Sequence, residues 1–116
     1  MLNVGAAPIH LCLLPTDMRK SFNSLSSLVY AWGDRPETGS YYVFVNRRKT
    51  HVKILYWDHD GLALWYKRLA KGQFMMPRPE SGRVCLSRRE LMLLLEGVTP
   101  QRQAKRCEIQ QKKALI

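Results

Sequence analysis

Three consecutive cations, Arg47-Arg48-Lys49, stand between two apolar runs, with Lys53 following and no acid among the four. Lys67, Arg68 and Lys71 form a second group, and Arg78, Arg83, Arg88 and Arg89 come after it. Each such cation that meets a phosphate releases a condensed counterion, so clustered cations are the usual currency of nucleic-acid binding. The whole chain points the same way: nineteen Lys and Arg against nine Asp and Glu leave a formal net charge of +10 on 116 residues. That field attracts polyanions. An anionic membrane surface and an acidic protein partner share the attraction, and nucleic acid is the commonest match for this balance. The competing account of Arg47-Arg48-Lys49 is a solvated turn, since turns are polar in any case.

Asp58 and Asp60 flank His59, and two carboxylates at this spacing could hold a divalent cation with the imidazole as ligand or base. A metal nuclease needs a third carboxylate, for which only Asp17 and Glu80 stand as nominees. Asp-His-Asp-Gly is also what a tight turn selects on backbone grounds, and that reading is preferred. Trp57, Trp65 and Tyr66 lie among the cations and could stack on bases, but aromatics supply much of a small core, and core is the preferred role. His10 and His51 read as isolated strand residues. With no phosphate-binding loop, nucleophile elbow or metal-ligand helix motif, no catalytic residue, metal or cofactor is assigned and the chain is not expected to be an enzyme.

The elements that must position these residues follow from periodicity. Ile9–Leu14 reads as a strand stopped by Pro15. Met18, Phe22, Leu25 and Val29 recur at helical steps, predicting a helix over Asp17–Tyr30 with Thr16 as N-cap. Gly33-Asp34-Arg35-Pro36 is a loop. Beyond Ser40 the period becomes two. Tyr42–Val45, His51–Trp57 and Leu62–Tyr66 read as three strands of an antiparallel meander, with Val52, Ile54 and Tyr56 on one face and Lys53, Leu55 and Trp57 on the other. Lys67–Gly72 is ambiguous between strand and helical turn, Phe74–Pro79 is extended, and Val84–Leu86 is a short strand. Ser87 and Glu90 form a capping box ahead of Leu91, Leu94 and Leu95, with Gly97 ending the helix.

The expected fold is therefore α+β: a mainly antiparallel sheet around a central three-stranded meander, with two packed helices. Residues 1–97 make one domain. Residues 98–116, five cations against one acid, make a basic tail, disordered or conditionally helical. No apolar run approaches the ~20 residues of a membrane span. Met1–Leu14 lacks the marks of a secretory leader, and Cys12, Cys85 and Cys107 form no paired framework, so a reduced cytoplasm is the expected location.

Several stretches resemble one known family. Thr16-Asp17-Met18-Arg19-Lys20-Ser21-Phe22 is similar to its opening motif, in which Gly usually stands where this chain has Ser21. Val52 to Leu62, running into Leu64-Trp65-Tyr66-Lys67-Arg68-Leu69, resembles its most distinctive block, and Leu93-Leu94-Leu95-Glu96-Gly97 its closing motif. Met75-Met76 departs from the aromatic that often precedes the proline. The family is the small accessory protein TnpB, encoded by the second open reading frame of insertion sequences of family sixty-six. It is unrelated to the longer RNA-guided nuclease that bears the same label. The resemblance spans about Pro15 to Val98 and implies a role in transposition, with strand-transfer chemistry left to the element's separate transposase.

Three functions are carried forward. In the first, the chain binds DNA, or the transposase–DNA complex, through Arg47, Arg48, Lys49, Lys53, Lys67, Arg68 and Lys71. In the second, it binds the transposase or another accessory protein of the element through the sheet face and the leucine-rich helix. In the third, Asp58 and Asp60 serve a metal nuclease. Neither a membrane nor a small-molecule substrate is expected.

Overall fold

A computed structural model describes residue 2, residues 4–77 and residues 82–97. The basic tail and its boundary at residue 98 lie outside the described residues. Five strands form one sheet: β1 (Ile9–Cys12), β2 (Tyr41–Val45), β3 (His51–Asp58), β4 (Gly61–Arg68) and β5 (Arg83–Leu86). Two α-helices accompany them, α1 (Phe22–Ala31) and α2 (Arg88–Glu96). Spatial order is β4-β3-β2-β1-β5. The expected meander is present as β2-β3-β4, antiparallel throughout. β1 runs parallel to β2 and antiparallel to β5. A parallel neighbour requires a crossover, and α1 supplies it between β1 and β2.

Period two sends alternate residues to opposite faces, and each face meets one helix. Val43, Val45, Val52 and Ile54 join Ile9 and Leu11 in the larger cluster, closed by Leu91, Leu94 and Leu95 of α2, by Phe74 and by Leu2 and Val4. Tyr42, Phe44 and Leu55 face the other way and meet Leu25 and Val29 of α1, with Cys12. Most of these side chains are fully buried, each worth ~1.5–3 kcal/mol relative to exposure. Both sheet faces are thus covered, and the three inward leucines of α2 are spent inside the chain's own core. Only Leu93 of that helix is a large exposed apolar side chain, at 47%.

The second helix begins as the sequence leads one to expect. Ser87 Oγ accepts from Glu90 N at 3.0 Å while Glu90 Oε1 accepts from Ser87 N at 2.8 Å. Gly97 ends it at φ +71°, where an added Cβ would lie 2.8 Å from Leu69 Cδ1. The first helix does not begin where expected. It starts at Phe22, after Ser21, whose N–H donates to Ser24 Oγ at 3.0 Å. Thr16 is instead buried, and its N–H donates to Val45 O at 2.9 Å. Asp17 to Lys20 form a turn closed by Lys20 N on Asp17 O at 3.1 Å. The physical reason lies far along the chain: Lys53 Nζ donates to Met18 O at 2.8 Å and to Lys20 O at 2.7 Å. These two carbonyls converge on one ammonium and are lost to a helical ladder.

Candidate nucleic-acid interface

The tip between β2 and β3 is held by Asn46. Its Oδ1 accepts from Thr50 N at 2.8 Å and His51 N at 3.0 Å, and its Nδ2 donates to Thr50 Oγ1 at 3.1 Å. Asn is suited to this position because its short amide can mimic a backbone turn. Lys49 sits at φ +60°, the left-handed region that side chains larger than Gly seldom adopt. Two further bonds fasten the tip to the chain beyond β4: Phe74 N donates to Lys49 O at 2.7 Å, and Gln73 Nε2 to Arg48 O at 2.8 Å. Leu69 N donates to Thr50 O at 2.9 Å, extending the β3–β4 ladder into the same corner. With the backbone turned inward, the side chains of Arg47, Arg48 and Lys49 stand outward and exposed.

The same bonds bring the second cationic group alongside. Arg68 is paired with His51 in the ladder and is exposed, and Lys71 lies exposed in the turn that leads to Gln73. Five of the seven expected residues, Arg47, Arg48, Lys49, Arg68 and Lys71, therefore gather at one end of the sheet. The remaining two do not join them. Lys53 is only 7% exposed, its ammonium committed to the 16–20 turn and lying 4.9 Å from the Tyr66 ring centroid. Lys67 points to the opposite face, where Nζ donates to Leu95 O at 2.9 Å at the carbonyl end of α2. Each of these two ammonium groups is directed to backbone carbonyls, at the 16–20 turn for Lys53 and at the end of α2 for Lys67.

An open cleft of about 420 Å³ separates this tip from the 15–18 segment, lined by Pro15, Thr16, Asp17 and Met18 on one side and Asn46, Arg47 and Arg48 on the other. Asp17 is its only acid, and Arg19 neutralises it: Nη2 lies 2.7 Å from Oδ2, and Arg19 N and Nε both donate to Oδ1. The hydrogen bonds from the Arg19 side chain and backbone hold the Asp17 carboxyl down to about 2. Sequence reasoning missed the organising roles of Asn46 and Gln73. An Asn opening a polar turn was the available signal for the first, whereas nothing local marked the second.

Asp58, His59 and Asp60 occupy the far end of β3. Asp58 pairs with Gly61, so the turn is centred on His59-Asp60 and Gly61 belongs to the strand. His59 takes φ +54°, and its carbonyl accepts from Trp57 Nε1 at 2.9 Å. Among the described residues no group of three or more His, Cys, Asp or Glu is placed to hold a metal ion. The aromatics divide: Trp65 packs against the larger core, while Tyr66 is 52% exposed beside Lys53 and His51. Nor is His51 isolated: its Nδ1 lies 2.8 Å from Thr50 Oγ1. Among the described residues no helix is long and apolar enough to cross a membrane.

Comparison with known proteins places this architecture. The model of the family described as IS66 Orf2 like protein matches residues 7–105. Two proteins of Sinorhizobium fredii (strain NBRC 101917 / NGR234), both described as uncharacterized, are similar over most of their length. The one called y4hO is 36% identical over 84 residues, covering 72% of this chain and 73% of its own. The one called y4jC is 34% identical over 85 residues, with the same coverage. No solved structure matches. The match runs through the 16–20 turn that receives Lys53, both turns of the meander and the capped second helix, and the chain belongs to the IS66 Orf2-like family of insertion-sequence accessory proteins.

Proposed function

We propose that this protein supports transposition by binding DNA, bare or already held by the transposase, through the cationic end of its sheet, without catalysis of its own. One observation carries the reading. Two cationic segments separated by a whole hairpin are hydrogen-bonded into one corner through Gln73, Phe74 and Leu69, giving five exposed cations with no acid among them. A rim of this kind suits a phosphate backbone, whose contacts set position and orientation rather than sequence. The leucine-rich helix supports a protein interface poorly, because Leu91, Leu94 and Leu95 face inward. Asp58 and Asp60 serve a turn at the opposite end of β3.

The test is binding of the purified protein to duplex carrying the element's terminal repeats, beside scrambled duplex, across a salt series. Logarithmic affinity should fall with logarithmic salt at ~0.9 per phosphate contacted, so Arg47→Ala, Arg48→Ala and Lys49→Ala together should flatten the slope by about 2.7. Absence of salt-sensitive binding by the parent, alone and with the transposase present, would sink the proposal. An interaction with the transposase that needs no DNA would point instead to an acidic protein surface meeting the same cations.

A further inference from the structure

A second cluster of reactive groups lies at the other side of the sheet, where β1 meets β5, and the proposed DNA contacts make no use of it. His10 and Cys85 face each other across the antiparallel pair. Cys85 is exposed, and its Sγ lies 3.6 Å from His10 Nδ1. The other ring nitrogen, Nε2, lies 3.8 Å from Asp34 Oδ2 in the loop after α1. Asp34 is itself held by Arg83 Nη1 at 2.8 Å, and the Arg83 guanidinium stands 5.3 Å from the Trp32 ring. Tyr42 of β2 stacks on the imidazole with centroids 5.3 Å apart and planes 16° from parallel. The ring is thereby fixed on three sides. An Nε2–H tautomer, its hydrogen towards Asp34, leaves the Nδ1 lone pair facing the thiol. Burial, the dominant effect, lowers the His10 pKa below 6.5, against a pull upward from Asp34 and with a push downward from Arg83. A neutral imidazole is the form that accepts a proton.

A nucleophile within reach of a base that a third group orients is the arrangement that activates thiols for covalent chemistry. We infer that Cys85 is a covalent modification site, a thiol with His10 as its base that exchanges with low-molecular-weight disulfides bearing carboxylates. The step balances within those partners. The thiol proton passes from Sγ to His10 Nδ1, and the thiolate attacks one sulfur of the disulfide. A Cys85 mixed disulfide forms as the original S–S bond breaks, and the second sulfur leaves as a thiolate that takes up a proton from the imidazolium or water. Cys85 sulfur is oxidised and the leaving sulfur reduced. Carboxylates on the disulfide suit a protein of net charge +10. Cys12, on the same sheet face, is buried with its Sγ on Leu14 O and has no comparable access.

The probe is 5,5′-dithiobis(2-nitrobenzoate), an anionic disulfide, applied to the folded full-length chain carrying Cys107→Ser. A short cysteine peptide with the β5 sequence serves as reference. One thiol should react rapidly at pH 7, at a rate about tenfold above the peptide, and Cys85→Ser should abolish it. That advantage should fade as pH falls through the His10 titration, which burial places below the ordinary 6.5, because the imidazole then takes its proton from solvent. His10→Gln should remove the advantage at every pH, and Asp34→Asn, acting through ring position, should remove part of it. A parent protein that tracks the peptide across the whole pH range overturns the inference, even if the His10 variant fails to fold. So does a folded His10→Gln protein that reacts as fast as the parent.

Discussion

The two turns that bound β3 are built alike and charged oppositely. Each is short, exposed and contains one non-glycine residue in the left-handed region, Lys49 at φ +60° and His59 at φ +54°. The eight residues of β3 set them about 25 Å apart at ~3.3 Å per residue. One tip presents Arg47, Arg48 and Lys49, the other Asp58 and Asp60. The first is tied by Asn46, Gln73 and Phe74 to a neighbouring segment, whereas the second is closed by its own backbone and the Trp57 indole. The fold therefore fixes one loop far more firmly than the other. Side-chain and tertiary hydrogen bonds hold the cationic tip in one shape, as a surface that must match a fixed partner requires. Its acidic counterpart would repel phosphate, so a duplex bound as proposed would be oriented towards one end of the molecule.

The largest effect separates a buried cation from the exposed ones. Lys53→Met strips the donor from Met18 O and Lys20 O and should cost about 2–4 kcal/mol in denaturant unfolding, while leaving the salt slope of DNA binding unchanged. A flattened slope would return Lys53 to the interface. Next, the cationic triple substitution should weaken binding on the order of a hundredfold at moderate salt. Asp58→Asn with Asp60→Asn should leave binding equal or slightly tighter. Equal losses at the two tips would erase the distinction between them. Asn46→Ala removes no charge, yet it orphans Thr50 N and His51 N. It should cost about 1–2 kcal/mol of stability and weaken binding without changing the salt slope.

Smaller still, His59→Gly should relieve the left-handed backbone and raise stability by about 0.5–1 kcal/mol, with DNA affinity untouched. Lys49→Gly should give a similar gain and yet reduce the salt slope by about 0.9, the effect of a single charge. The faintest signal is Asp17. Because its folded carboxyl is depressed to about 2, its ion pair with Arg19 contributes fully above the unfolded value near 3.8 and is lost as pH falls through 2. A carboxyl NMR titration should find that midpoint, and Arg19→Ala should return it towards 3.8.

Much of the fold is legible in the sequence, for identifiable reasons. The alternation of Val52, Ile54 and Tyr56 with Lys53, Leu55 and Trp57 assigns faces, because a strand has no other way to satisfy period two. Ser87 and Glu90 mark a helix start that depends on local bonds alone. The start of α1 was not legible, since the carbonyls that end the helical pattern are claimed by a lysine remote in sequence. The candidate interface shows the same boundary. Its cations were visible as clusters, but which of them face water is decided by α2 and the 16–20 turn, so Lys53 and Lys67 could not be told from their neighbours. The pairing of His10 with Cys85 was hidden for the same reason: it depends on β1 lying beside β5, which no local pattern encodes.

That placement of β1 has a consequence for synthesis on the ribosome. The first of the described strands, Ile9–Cys12, is an interior strand whose partners are Tyr41–Val43 on one side and Arg83–Leu86 on the other. The β2-β3-β4 meander can close from neighbouring contacts as soon as it emerges, whereas β1 keeps an open edge until β5 has been translated. Everything from Ile9 to Leu86 must therefore leave the tunnel before the sheet is complete. A nascent chain stalled between β4 and β5 would present β1 with one open backbone edge, which makes that interval of translation the one in which the sheet is most exposed to misassociation.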